Sequence, residues 1–463
     1  MADMSTFIQV SDKIYLAFHS THEVSCIMDS ALDVELITIQ GMVSRTDLST
    51  SPISFAQIVL FKNFLLDAKA EAFDKRLIVC AGHDDDGIAT CMMLLGSVKI
   101  LIDKSSVSEV EAIFQTALLR VDCIQDNSLG CKSNVSILDS WRGLAQAQSN
   151  GWIELLHDEV DIDRCIDIQE HLHYDNPLNG SLHVIIPSRL IAFKCPRDVE
   201  DKVKDLSNDQ WVDVDGERHF SPSFYADILG SDFGVQVVVR CDGAKPERAC
   251  LYDFLDESDE FSDDDEEADE SWVQGYAGYD ETAFDEAGLV VERICMDRDS
   301  RNSPAALLSS ADRFLTLARL APGAVAIHGG DGDGLGDDAE LLVSSLLIKD
   351  HCFDARSALA WIHLAHPPQR PQEPLCFSMG PLDEEFRAGQ AQCTSCLPAR
   401  LLLRELPVLT GESCLSVGWR TAFRPSKESS LSFGGRAPTP SLCCSAVGDP
   451  SLLQCCCRGG PRW

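Results

Sequence analysis

The amino-acid sequence predicts an α/β protein made of two successive units, on three observations. A buried-type strand, Arg76-Leu-Ile-Val-Cys80, runs into the acidic glycine loop Ala81-Gly-His83-Asp84-Asp85-Asp86-Gly87 and then a helix from Ile88 to Lys104. The same order returns later, where Val325 to Ile327 leads into His328 and the loop Gly329-Gly-Asp331-Gly332-Asp333-Gly334-Leu335-Gly-Asp337-Asp338, followed by an amphipathic helix from Ala339 to Asp350. Strand, glycine loop and helix start together turn backbone N–H groups toward an anion. Third, short β-branched runs alternate with helix-periodic segments along most of the chain, and the recurrence of the strand–loop–helix unit suggests a duplicated α/β domain.

Taken in order, Lys13 to Phe18 reads as an opening strand and Val34 to Ile39 as a second apolar run. Phe55 to Ala70 carries Ile58, Phe61, Phe64 and Leu65 at helical spacing. Ser105 to Leu119 is a helix that Ser105 or Ser106 caps, with Glu109 and Glu111 in its first turns. Ser133 to Gln148 is another, with Val135, Ile137, Leu138, Trp141 and Leu144 as its core face. The polar, acidic stretch from Asp158 to Asn179 suits a solvated link between domains, and His171, His173 and Asp175 in it are candidate metal ligands. Leu182 to Phe193 holds two short strands around Pro187, and Val235 to Val239 is a β-branched strand. Asp253 to Glu270 is too densely charged to pack and is expected to be a disordered insertion. Its Ser262, followed by acids, suits an acid-directed kinase. Order resumes with Thr282 to Gly288, a strand from Leu289 to Met296, a helix within Arg301 to Leu320 and a last helix from Asp354 to His363. Beyond Pro367 the chain is rich in Pro, Ser, Gly and Cys and is expected to be a flexible tail. Cys393-Thr-Ser-Cys396 has zinc-ligand spacing without a second pair, and Cys455-Cys456-Cys457 is a candidate lipidation site.

Composition bounds the function. The chain has 463 residues, enough for two or three domains, and a formal net charge of −36. That charge argues against nonspecific nucleic-acid binding and against docking on anionic membranes, and favours basic partners or metal ions. No apolar run reaches membrane-spanning length. The 20 cysteines are scattered along the chain, those before Pro367 among apolar strands and helices, and Met1 to Thr6 does not read as a signal peptide, so free thiols in an intracellular compartment are expected.

Several segments, in order, resemble the mitotic-exit dual-specificity phosphatases, the cell-division-cycle-fourteen family. Gly130 to Gly143 is similar to its interdomain helix region, and Val184 to Phe193 to the first strands of its catalytic domain. Ser221 to Tyr225 with Val237 to Arg240 resembles the helix and strand that follow; Tyr279, Asp280, Phe284, Ala287 and Gly288 fit the next motif. Gly323 to His328 and Phe353 to Pro367 bracket the catalytic loop. The resemblance covers Lys13 to Pro367. It implies two tandem protein-tyrosine-phosphatase-like domains, the first non-catalytic, with an acidic disordered insertion and a disordered C-terminal tail. The expected bounds are 1–157, a linker at 158–180, a second domain at 181–367 with its insertion at about 245–277, and a tail at 368–463.

The resemblance also assigns the catalytic positions, on the pattern His-Cys-x-x-Gly-x-x-Arg. His328 and Gly332 fall in register, and Gly334 adds to the loop's glycines. Gly329 stands where the nucleophilic cysteine belongs, and Leu335 where the phosphate-clamping arginine belongs. Glycine offers no side chain for a phosphoenzyme and leucine no charge-assisted hydrogen bond. The general acid falls on Asp297 or, counted without a gap, on Asn302. Gly380-Pro381-Leu382-Asp383 lacks the water-positioning glutamine. Asp331, Asp333, Asp337 and Asp338 would repel a phosphate dianion there. Asp331-x-Asp333-x-x-x-Asp337 instead suits either a capped acidic helix start or a Ca²⁺ site, and His83 to Asp86 is open to the same two readings. The expected protein is therefore a pseudophosphatase that binds phosphoprotein or basic protein segments, in nucleus or cytoplasm, with no cofactor beyond possible Ca²⁺. An active phosphatase with an atypical nucleophile and a Ca²⁺-responsive module are the alternatives.

Overall fold

The computed structural model describes residues 7–27, 34–38, 53–125, 135–155, 164–198, 210–214, 217–241, 279–294, 296, 303–330 and 335–367. Everything structural below concerns these residues, which all belong to the compact unit Met1–Leu397. The acidic insertion, Asp297, Asn302, Asp331, Gly332, Asp333, Gly334 and everything after Pro367 lie outside them.

A four-stranded sheet organises the first half. Strands β1 (Phe7–Gln9) and β2 (Ile14–Ala17) form an antiparallel hairpin, and β3 (Val34–Thr38) and β4 (Arg76–Cys80) complete the order β1-β2-β4-β3, with β2, β4 and β3 parallel. Helices α1 (Thr21–Ile27), α2 (Phe55–Ala72), α3 (Asp85–Leu101), α4 (Val107–Gln125) and α5 (Ile137–Ser149) accompany it. Their starts follow from local chemistry. Ser54 and Gln57 form a capping box on α2, Asp84 accepts from the Gly87 N–H to cap α3, and Ser136 and Asp139 form a box on α5. The acidic loop at 83–86 is thus, in its Asp84, a helix cap.

A five-stranded sheet organises the second half. Strands β5 (Leu182–Ile186) and β6 (Leu190–Phe193) form its opening hairpin, and Ser188 takes the left-handed turn position at φ 54°. A small separate hairpin of β7 (Trp211–Val214) and β8 (Glu217–Phe220) follows. With β9 (Val235–Cys241), β10 (Val290–Arg293) and β11 (Ala324–Gly329) the sheet order is β10-β9-β11-β6-β5, parallel except for the opening hairpin. Both sheets therefore begin with an antiparallel hairpin and place the last strand between the hairpin and an earlier parallel strand, β3 in the first and β9 in the second. The buried patterns of β4 and β11 match that inner position, since strands covered on both faces need continuous apolar runs.

The second-half helices are α6 (Ile168–Tyr174), α7 (Pro222–Ser231), α8 (Thr282–Glu286), α9 (Pro304–Leu320), α10 (Gly336–His351) and α11 (Ala355–Ala365). Residues 164–180, read from sequence as a solvated link, contain α6 and a 3₁₀ turn at Pro177–Asn179, and His171 is buried at 3% exposure. The polar composition misleads there because Asp167 caps α6 and Asn176 caps the turn, while Ile166 and His171 face inward.

One apolar core runs through both halves, including Phe61, Met92 and Trp141 from the first and Val325, Leu347 and Trp361 from the second. Helices α5 and α11 form its seam. A Cβ on Gly143 would lie 2.6 Å from the Ser357 carbonyl oxygen, so the two backbones touch where that side chain is missing. Arg356 donates to buried Asp139 across the seam at 2.9 Å. The Trp141 indole N–H donates to the Met93 carbonyl and that of Trp361 to the Ile185 carbonyl, so both large rings bury with their polar atom satisfied.

Candidate functional site

The central strand β11 delivers His328 and Gly329 to the start of α10. His328 is fully buried; its Nδ1 donates to the Gly329 carbonyl oxygen at 2.7 Å, which leaves Nε2 to accept from the Tyr279 hydroxyl at 2.9 Å. The carbonyl can only accept, so the backbone itself selects the tautomer. Phe193 lies against the imidazole with ring centroids 4.9 Å apart. The Tyr279 ring also carries the guanidinium of Arg240, 3.9 Å from its centroid. Arg240 sits beside His328 in the β9–β11 register and is 1% exposed. Its charge is answered by Glu281 at 2.6 Å, which also accepts from Arg293. Tyr279 thereby joins strand-end histidine, buried cation and carboxylate into one network behind the loop.

Gly329 is packed so tightly that a Cβ would overlap the Leu335 carbonyl oxygen. Leu335 is 1% exposed and belongs to the main apolar core. Its backbone precedes Gly336, whose φ of 74° is left-handed and opens α10. Asp337 and Asp338 follow in the first helical turn, where carboxylates favour the N-terminal end of the helix dipole. The chain around these two positions is therefore closed against a side chain at 329 and apolar at 335.

No neighbouring thiol among the described residues is placed to replace the missing nucleophile. Cys241 faces Gly329 in register but is 4% exposed within the core. Cys80 ends β4 with its thiol pushed up to about 11 by burial, and burial raises Cys91 further. Cys352 is exposed, but it ends α10 in the left-handed conformation, at the opposite end of that helix from the loop. A thiol held protonated is a poor nucleophile.

In the first half, the His83 imidazole meets the Glu23 carboxylate at 2.7 Å, and His19 packs edge-on against His83. The His83 contact and hydrogen bonds from Ser20 hold Glu23 down at about 2. Asp85 and Asp86 lie in the first turn of α3. Of the sequence candidates for metal, Asp337 is the described member of its trio, and His173 is exposed. His171 and Asp175 do converge, with His183 and His366, in a buried cluster whose last two members the sequence did not signal. His183 and His366 are separated by 183 residues, so no spacing rule joins them.

The inner strand of the second sheet thus ends in a buried histidine that precedes a glycine-rich stretch of sequence and the start of α10. No protein-family model matches the chain. The dual specificity protein phosphatase CDC14AB of Danio rerio is 23% identical over 307 residues, 65% of this chain and 40% of that protein. The chain thus spans 40% of that relative's length. The solved structure of PTPMT1 is 13% identical with a TM-score of 0.26, covering 46% of this chain and 99% of that one. PTPMT1 in complex with PI(5)P gives 12% identity, a TM-score of 0.25 and coverages of 46% and 97%. Over those 307 residues the chain is similar to a CDC14 dual specificity protein phosphatase.

Proposed function

We propose that this chain is a pseudophosphatase, two phosphatase-type α/β units in tandem that have lost covalent catalysis and bind basic protein segments. The observation that carries this is the closure of the nucleophile position: Gly329 has no room for a Cβ, and Leu335 is buried where a phosphate-clamping arginine would stand. A phosphoenzyme needs a side-chain nucleophile, and the phosphoryl oxygens need a charge-assisted clamp. The shared strand order of the two sheets supports the tandem arrangement, and the net charge of −36 supports a basic partner.

The test is turnover of a phosphoserine-proline peptide and of a generic aryl phosphate by the purified full chain. The expected result is no hydrolysis above a buffer control. Hydrolysis that vanadate inhibits would overturn the proposal. The catalytic alternative needs a nucleophile, and the described thiols near the strand ends are buried.

A further inference from the structure

The buried cluster at the junction of the two halves has the chemistry of a metal site. His171 and Asp175 lie one helical turn apart at the end of α6, and His183 projects from β5. One ligand atom from each lies within 4.8 Å of the others. His171 and His183 are 3% and 4% exposed. Among the described residues, neither ring nitrogen of His171, nor Nε2 of His183, nor Oδ1 of Asp175 has a hydrogen-bond partner. A buried polar atom left unsatisfied is costly, so several in one place are unusual in a folded core. His183 Nε2 and Asp175 Oδ1 stand 3.6 Å apart, beyond hydrogen-bond distance.

The surroundings fix these groups in place. The His171 ring is held edge-on by Phe55, with centroids 5.2 Å apart, and lies 5.0 Å from the His183 ring. His183 Nδ1 and His366 Nδ1 are 2.8 Å apart, which makes His366, just past α11, the acceptor that would leave His183 Nε2 bare for a metal. A metal-bound histidine commonly has its other nitrogen fixed by such an outer partner. His171 also lines a cleft with Asp167, Glu170 and Tyr174, whose acids mark a route for a cation. The His19–Glu23–His83 group differs, since its histidine and carboxylate already bond each other at the surface.

We propose that His171, Asp175 and His183 bind one divalent transition metal, with His366 orienting His183. Two imidazoles and a carboxylate suit Zn²⁺ and exclude a Ca²⁺ preference, because Ca²⁺ takes oxygen ligands. The metal ties α6, β5 and the chain after α11 together. It is independent of whether the chain hydrolyses phosphate.

Cobalt(II) is the probe. Full-length protein, stripped with chelator and shown by near-ultraviolet circular dichroism to be folded, is titrated with Co²⁺ and then Zn²⁺. The expected result is one equivalent of Co²⁺ with the d–d bands of a low-coordinate nitrogen–oxygen site, displaced by Zn²⁺. Zn²⁺ should raise the melting temperature and Ca²⁺ should not. His171→Ala and Asp175→Asn should abolish the bands, His173→Ala and His83→Ala should leave them, and His366→Ala should weaken binding about 10–100-fold. Folded wild-type protein that takes up no Co²⁺ would overturn the proposal, as would bands that survive His171→Ala or vanish in His83→Ala. Should the ligand variants fail to fold, the wild-type titration and His83→Ala decide alone.

Discussion

In the proposed reading, Gly329 removes a reaction while the fold is kept. A cysteine nucleophile there would need the Leu335 carbonyl to withdraw, and withdrawing it would lift a core leucine and the first turn of α10. Overpacking of this kind costs about 1–3 kcal/mol, so Gly329→Ala should lower the urea midpoint by a corresponding amount at unchanged m-value. An unchanged midpoint would mean that the loop yields freely, and the closed position would lose its force. Installing the missing pair together, Gly329→Cys with Leu335→Arg, should cost more, because the arginine would also enter an apolar site. The network behind the loop makes a second residue-scale prediction. Glu281 answers the buried Arg240, so Glu281→Gln leaves that cation weakly partnered; the loss should be on the order of 1–3 kcal/mol, read by the same denaturation experiment. No loss would mean that Tyr279 alone holds the charge. Sequence made Gly329 and Leu335 visible, because both stand at fixed offsets from a strand-end histidine. The Arg240–Tyr279–Glu281 network was not visible as a network, because its members come from two stretches separated by the acidic insertion.

Among elements, those with long periodic patterns were the most legible. Helix α2 and strands β4, β9 and β11 lie where apolar spacing put them, because their burial repeats over several turns or residues. The hairpin β7–β8 was missed: Glu217-Arg-His-Phe220 has no apolar alternation, and it is held instead by cross-strand pairs such as Arg218 with Asp213. Helix α6 was read as a link because two of its seven residues are histidines, whose burial depends on residues far away in sequence. Helix α10 carries a pH prediction. His351, in its last turn, packs edge-on against Trp152, and burial lowers its pKa below the usual histidine value, although Asp350 pulls the other way. The unfolded chain therefore binds a proton that the folded chain resists, so stability is fully present above pH about 6.5 and declines as pH falls below it. His351→Gln should remove part of that decline, measured as the difference in urea midpoint between pH 7.5 and pH 5.5. An identical difference in wild type and variant would show that His351 does not contribute.

At the scale of the whole molecule, one apolar cluster runs through both halves with two smaller ones beside it, and the chain carries a formal charge of −36. A recurring strand–loop–helix unit was legible in the sequence, whereas the continuity of the core was not, because α5 meets α11 across more than two hundred residues of sequence. On the proposed reading, a chain closed at Gly329 and acidic overall should attract basic protein segments and have no affinity for a phosphate. An arginine-rich peptide should therefore bind full-length protein tightly at low salt. Raising ionic strength from about 0.01 M to about 0.15 M shortens the Debye length from roughly 30 to 8 Å and should weaken binding several-fold. Phosphorylating a serine in the same peptide should leave binding unchanged or weaken it, because Leu335 replaces the clamp and Asp337 and Asp338 lie in the adjoining helix turn. Fluorescence anisotropy with the paired peptides reads both effects. Tighter binding of the phosphorylated peptide would mean that a phosphate-recognising site survives, and the proposal of a phosphate-blind binding module would fail.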